Sequence, residues 1–164
     1  MPDSGSAERR AEARRAVEYA VARWPAGVLL PTVKLVEVLT AFGLPVVPMR
    51  AVASLAQALG AAEAMGYPVR LRVPGSTGVE IDGPEAMEAS WPAHPEVLVQ
   101  VALGPTRPAE LWTPGLSRNI ATLRAALPEV DALDLVVDLD ASGREWIVEA
   151  RAHVRAVPAG PASR

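Results

Sequence analysis

No cysteine occurs among the 164 residues, which removes disulfides, thiolate catalysis and zinc–sulfur sites from the chemistry open to this chain. Lysine is nearly absent as well. Lys34 stands alone and arginine carries the remaining positive charge. With alanine and proline abundant, that bias reads as base composition rather than arginine-specific chemistry. Two histidines are present, His94 in a proline-flanked loop and His153 near the C-terminus. Neither has metal-ligand spacing to the other, no G-x-S-x-G elbow occurs, and both read as surface residues. No apolar run approaches the roughly 18–20 residues needed to span a bilayer. The charged N-terminus has no apolar core of a secretory signal, so a cytoplasmic location is the default expectation. A net charge of −3 supplies no electrostatic case for nucleic acid.

Half of the residues are hydrophobic, a globular composition long enough for one domain or two small lobes. The pattern at residues 7–24 predicts a helix with Ala13, Ala16, Val17, Ala20, Val21 and Trp24 as its apolar stripe, after a disordered start over residues 1–6. Residues 28–42 read as a second helix anchored by Val33, Val36, Leu39 and Phe42. Residues 42–73 organise the rest. A β-branched run at 45–48 is followed by a helix over 54–65, with Ser54 as N-cap and Gly66 as C-cap. Pro68 then restarts the chain as a strand over 69–73. Strand, helix and strand compose a βαβ unit whose two strands should share one sheet, with Leu55, Leu59 and Ala62 facing it.

Downstream, Pro74 to Gly78 (PGSTG) reads as a turn or as an anion-cradling nest. Residues 79–81 read as a strand, 83–90 as a helix and 96–103 as a buried strand. Residues 116–127 read as a helix with Leu116, Ile120, Leu123 and Leu127 inward. A hairpin over 133–139 and 145–150 turns at Asp140–Gly143. Leu135, Val137 and Leu139 share a face, and if that face is core, Leu139→Ala should cost roughly 2–4 kcal/mol. Arg70 and Arg72 alternate to one face of their strand. Such a face either binds an anion or forms a solvated sheet edge.

The run GLPVVP (43–48), a short Ala-rich helix and GYPVRLRV (66–73) resembles the opening of the ATP-grasp domain of ADP-forming (NDP-forming) acyl-CoA synthetases, where the pattern runs AYGIPVVP, helix, GYPVVLKV. VLVQ (97–100), AEL (109–111) and the stretch from LPEVDALDL to EAR (127–151) extend the similarity, and 109–113, matching the start of the family's VELIVG strand, would be a strand here too. The resemblance implies an α/β, abridged ATP-grasp-like fold with N-terminal helices, a small mixed sheet and a C-terminal β-hairpin. It places a helical preface at 1–30, the ATP-grasp-like domain at 31–155 and a disordered tail at 156–164.

It also implies ATP or ADP with Mg²⁺ as cofactor. Arg72, with Arg70, would stand for the phosphate-holding lysine, Gln100 and Val101 would lie at the hinge that reads adenine, and Glu110 would meet a ribose hydroxyl. Asp134 and Glu149 would hold the metal, and a CoA-binding subunit would be the partner. Two segments depart from the family. Its HKSDVGGV run is reduced to Ser76–Val79 without histidine or lysine, and the Asn and Pro of LDINP are Val136 and Val137. The domain is roughly 70–80 residues shorter than usual. The expected function is therefore nucleotide binding with catalysis lost or weakened, or else a non-catalytic module that binds a partner protein.

Overall fold

The structure, a computed structural model, describes residues 4–73, 76 and 78–158. The chain divides into two compact units, Met1–Val46 with Arg107–Arg164, and Val47–Thr106.

The first unit begins with α1 (Ser4–Arg23), which packs on α2 (Thr32–Ala41). Ala13, Val17 and Ala20 are its buried stripe, while Trp24, assigned to that stripe from sequence, is exposed. Arg10 fastens the pair, donating from Nε to the Ala41 carbonyl (3.4 Å) with its guanidinium 4.9 Å from the Phe42 ring centroid. Helix formation begins at Ser4, so the disorder expected over residues 1–6 is corrected for 4–6, and residues 1–3 lie outside the described residues.

The second helix is also shorter than its apolar pattern suggests. Val28–Leu29 forms strand β1 instead. It pairs with a distant strand, and the Leu30 N–H donates to Ala152 O (2.9 Å). With Pro31 as N-cap, the buried face of α2 becomes Leu35, Val38 and Leu39, and Val33 turns outward.

The hairpin of this unit is longer than expected. Strands β7 (Val130–Leu139) and β8 (Glu145–Val154) pair antiparallel, flanked by β1 and by β6 (Arg107–Pro108), in the order β1-β8-β7-β6. Residues 109–113, expected as a strand, leave the sheet after Pro108, and one bond from the Ala109 N–H to Val137 O (2.9 Å) marks the exit. Thr113 then caps α5 (Pro114–Ala126). Its Oγ1 accepts from the Leu116 N–H (3.3 Å), while its own N–H and hydroxyl donate to the Glu145 carboxylate at 2.9 and 2.5 Å. Pro at the first helical position costs nothing there, because that N–H has no intrahelical partner.

Leu116, Leu123, Leu127, Val137, Ile147, Ala152 and Val154 close this core, with Leu133, Leu135 and Ala150 against it. Leu139 shares the parity of Leu135 and Val137 but is half-buried and outside the core, so the cost expected for Leu139→Ala is corrected downward.

The second unit holds the βαβ segment. Strand β2 is Met49–Val52, α3 is Leu55–Met65 and β3 is Val69–Arg72. The first strand starts four residues later than the β-branched run predicts. Prolines 45 and 48 bracket that run and have no N–H for a ladder; Val46 makes only an isolated parallel bridge to Ile147. Ser54 caps α3 by accepting from the Gln57 N–H (3.2 Å), and Gln57 Oε1 accepts the Ala53 N–H (2.8 Å). This reciprocal pair satisfies two donors at the helix start.

The remaining elements are β4 (Val79–Ile81), α4 (Pro84–Ser90) and β5 (Val97–Val101). The sheet order is β2-β5-β3-β4, with every pairing antiparallel. Both βαβ strands thus run antiparallel to β5 and parallel to each other, in one sheet as expected, with β5 inserted between them. The helices cover one sheet face, where Val52, Val69, Leu71, Ile81, Val97 and Val99 meet Ala58, Ala61, Ala62 and Met87. Leu55 and Leu59 pack against this core while half-buried.

The tail expected over 156–164 falls on 159–164 outside the described residues, whereas 156–158 are described without helix or strand. No helix among the described residues is long and apolar enough to cross a membrane.

Candidate functional site

In the second unit the sheet face away from the helices carries the polar set. Arg70 lies opposite Gln100 on β5 and Glu80 on β4, and Arg72 lies opposite Leu98. Directly paired residues share a face and diagonal neighbours lie within reach of long side chains. Arg72 accordingly donates from Nη1 to Gln100 Oε1 at 2.9 Å. Both are buried, at 8% and 4% exposure, on a sheet whose other face carries the apolar core. The solvated-edge alternative is overturned for Arg72. β3 is an inner strand, and the guanidinium is buried in a charge-assisted hydrogen bond. Arg70, on the same face, is half-buried.

Gly78 shapes the same face. Its φ of +85° is one that side-chain-bearing residues rarely adopt. A Cβ there would meet the Leu71 carbonyl oxygen at 2.8 Å and the Cγ atoms of Arg70 and Arg72 at 3.0 and 3.1 Å. Backbone at Gly78 therefore lies directly over the arginine stems. Ser76 bonds back to Val73, its hydroxyl donating to Val73 O (3.0 Å) and its N–H to the same oxygen (3.1 Å). Pro74, Gly75 and Thr77, on which an anion nest would also depend, lie outside the described residues. Val101 ends β5 half-buried, and its N–H donates to Pro48 O (3.0 Å). That donor is committed to the protein; base reading by Val101 would fall to its carbonyl.

In the first unit, Asp134 faces Arg151 across the hairpin and Glu149 faces Val136. The two carboxylates are diagonal neighbours on the sheet face away from the core, Asp134 exposed and Glu149 half-buried. Asp138 is the other diagonal neighbour of Glu149, an acid that the motif comparison passed over. Among the described residues no group of three or more His, Asp or Glu side chains is placed to hold a metal ion. Two carboxylates suit Mg²⁺ only in its usual mode, with nucleotide phosphates and water completing the oxygen shell. Glu110 is exposed in the segment after β6, next to the exposed Leu111 and Trp112.

The strongest carboxylate perturbations lie elsewhere. Asp140 in the hairpin turn accepts from the Ser142 hydroxyl (2.6 Å), the Trp146 indole (2.9 Å) and the Ser142 and Arg144 N–H groups (2.9 and 3.0 Å). Led by the Ser142 hydroxyl and then the indole, these donors hold its carboxyl well below the usual range. Asp131 accepts from His153 Nδ1 (2.7 Å) and Arg155 Nε (3.1 Å), and the His153 bond chiefly lowers its pKa. Both clusters fasten the hairpin.

Of the residues singled out from sequence, the fold thus joins Arg72 with Gln100 and sets Arg70 beside them. It places Asp134 and Glu149 on one face of the other unit. The direct Arg72–Gln100 bond was missed because it joins positions 28 residues apart. The signal available was the alternation of Arg70 and Arg72, which put both on a single face.

No protein-family model matches the sequence, and no curated protein matches it. Solved structures do. The PH1788 structure from Pyrococcus horikoshii Ot3 aligns at a TM-score of 0.71 with 16% identity, over 90% of this chain and all of that one. A RimK domain protein ATP-grasp from Sphaerobacter thermophilus aligns at 0.50 with 18% identity, over 73% of this chain and 58% of that one. The N5-carboxyaminoimidazole synthetase of Staphylococcus aureus complexed with ADP aligns at 0.54 with 13% identity, over 78% and 44%. This chain therefore spans about half the length of the latter two. The fold is α/β and ATP-grasp-like, as the sequence implied.

Proposed function

We propose that this chain is a nucleotide-binding domain related to the ADP-forming acyl-CoA synthetases, taking ATP or ADP with Mg²⁺, with catalysis lost or weakened. The observation that carries the reading is the buried Arg72–Gln100 pair on the helix-free sheet face of the second unit. A charge kept in a sheet interior is a costly way to gain stability, and such a group is better explained by a ligand it serves. Arg70, the more accessible of the two arginines, would meet phosphate oxygens, with Arg72 behind it. Val101 would offer its carbonyl to the base and Glu110 a carboxylate to the ribose. By the resemblance, Asp134 and Glu149 of the first unit would hold Mg²⁺, an ion that neutralises phosphate charge when bound.

Phosphoryl transfer rests almost wholly on positioned cations and metal ions. The segment at Ser76–Val79 has no histidine or lysine, and Val136 and Val137 replace an amide ligand and a proline of the resembled motif. Binding without turnover follows.

The decisive experiment is calorimetric titration of the whole chain with Mg-ADP and Mg-ATP. We expect dissociation constants from high micromolar to millimolar, about −4 to −6 kcal/mol, and no acyl-CoA formed from ATP, CoA and a carboxylic acid. Acyl-CoA formation by the chain alone would refute the loss of catalysis. No heat at millimolar nucleotide would refute binding and favour the second reading, a module that docks a partner protein, with a CoA-binding subunit as the partner implied. What favours that reading is Leu111, 88% exposed, beside the exposed Trp112, in a segment fastened at Thr113 to Glu145.

A further inference from the structure

Strand β7 has one flank that the fold leaves open. It pairs with β8 along its length, but on its other side β6 covers only Asp138 and Leu139. Hydrogen-bond directions locate the uncovered groups. The Val137 carbonyl points away from β8, since it accepts the Ala109 N–H (2.9 Å). Ala152, opposite Leu133, likewise sends its carbonyl out of the pair, to the Leu30 N–H (2.9 Å). Direction alternates along an antiparallel pair. Leu133 and Leu135 therefore turn their N–H and C=O groups to the open flank, where no strand among the described residues pairs with them. Their side chains pack against the first core yet stay half-buried, and Ala132, Asp134 and Val136 are exposed.

Two donors and two acceptors at this spacing are what an added strand bonds to, and the side chains beside them state what it must carry. In an antiparallel addition, directly opposite residues share a face. Positions opposite Leu133 and Leu135 fall on the core face and call for apolar side chains. The position between them falls opposite Asp134 and calls for a cation. Arg151 faces Asp134 from β8, and the incoming cation would face it from the outer side. A second copy of this chain fits poorly. The register in which Leu133 of one copy bonds Leu135 of the other sets the two Asp134 carboxylates directly opposite, and like charges so placed destabilise a strand pair. We propose that the Leu133–Leu135 edge docks an extended segment of a partner protein, apolar, basic and apolar in sequence, by strand addition to β7. This docking is independent of nucleotide binding and gives the partner of the second reading its chemistry.

The test reads amide hydrogen exchange of the full chain, without nucleotide or Mg²⁺, against a short, end-capped peptide of alternating valine and lysine. The Leu133 and Leu135 amides lack a sheet partner and should exchange fast in the free protein. Excess peptide should slow both by about tenfold or more, while the valine–glutamate counterpart should leave them unchanged. Methylating the valine nitrogens, which face β7 in this register, keeps the charge and removes the donors, so protection should vanish. Asp134→Lys should reverse the preference toward the valine–glutamate peptide.

Equal protection by both peptides, protection that survives methylation, or none in excess peptide overturns the proposal; the last would make Asp134 a guard on an unused edge. Protection that appears at Leu111 and Trp112 instead overturns the edge and leaves the partner-docking reading standing. Protection of Leu133 and Leu135 that rises with protein concentration alone assigns the edge to a second copy and overturns the proposal too. The wild-type comparison decides the matter by itself should the variant fail to fold.

Discussion

Replacing Gln100 with leucine isolates what the buried arginine demands of its neighbour. The two side chains have similar volume, so little cavity is created and the perturbation is electrostatic. It deletes a 2.9 Å bond to a guanidinium at 8% exposure. Hydrogen bonds to charged groups contribute about 1.5–3 kcal/mol, and a buried donor left unmet costs a comparable amount. Added apolar burial offsets part of this, so a net loss of about 2–3 kcal/mol is expected. With a urea slope of about 1–3 kcal/mol per molar, the unfolding midpoint should fall by roughly 1 M or more.

Because the chain has two compact units, a single global probe is ambiguous. Trp91 is the tryptophan of the 47–106 unit and packs against its core, so its emission in a background with Trp24, Trp112 and Trp146 replaced by Phe follows the affected unit. The double variant Arg72→Met/Gln100→Leu removes the charge together with its partner and should recover most of the loss, since a buried polar pair exchanged for apolar side chains is often neutral. A Gln100→Leu midpoint unchanged within error would refute the premise that Arg72 depends on Gln100. A double variant no better than the single one would show that the two are not coupled.

Three further outcomes follow from the geometry. Ile147→Ala should cost about 2–5 kcal/mol, because Ile147 is fully buried in the first core, whereas Leu139→Ala should cost about 1 kcal/mol or less; equal urea midpoint shifts would mean that the hairpin register is misread. Gly78→Ala forces a side chain into φ +85° against the Leu71 carbonyl oxygen, so a loss above about 1–2 kcal/mol and weaker nucleotide binding are expected, and an unchanged melting temperature would remove Gly78 from the site. The Asp140 carboxyl is held below its usual range by Ser142 and Trp146. Its stabilisation is complete above the unfolded carboxylate pKa, about 4, and is lost as pH falls toward the folded value. Asp140→Asn should therefore flatten the pH dependence of the thermal midpoint between about pH 5 and 2, and an identical profile would refute the turn as its source.

Elements with their own punctuation were readable from sequence, and elements defined by distant pairing were not. Ser54 and Gly66 bracket α3, and Asp140–Gly143 turns the hairpin, each through chemistry within a few residues. Val28–Leu29 has no such signal. Its apolar run continues into α2, and only pairing with His153 and Val154 makes it a strand. The segment 109–113 failed for the converse reason, because likeness to a family strand at Ala109–Leu111 cannot show that Pro108 is where pairing with β7 ends. The candidate site divides in the same way. The shared face of Arg70 and Arg72 follows from strand alternation, but the partner that buries Arg72 depends on the β3–β5 register. Register between strands this far apart is set by the folded sheet rather than by any local pattern.

The distribution of charge over the two sheets bears on why these residues persist together. In the second unit the helix-free face carries Arg70, Arg72 and Gln100 beside Leu98 and Glu80, a donor-rich surface. In the first unit the core-free hairpin face carries Asp134, Asp138 and Glu149, with Arg151 across from Asp134. Each sheet needs a single apolar face to fold, so its second face can carry polar side chains. A donor-rich surface suits phosphate and base acceptors, and a carboxylate surface suits a hard cation. The phosphates of a nucleotide match the first kind of surface, and a magnesium ion matches the second. Substituting Arg70 should therefore weaken the binding of free and magnesium-bound nucleotide alike, while substituting Asp134 and Glu149 together should weaken only the magnesium-dependent increment. Titration of Arg70→Ala and Asp134→Asn/Glu149→Gln with and without Mg²⁺ separates the two contributions, and loss of the metal-free component in the acidic variant would refute the division.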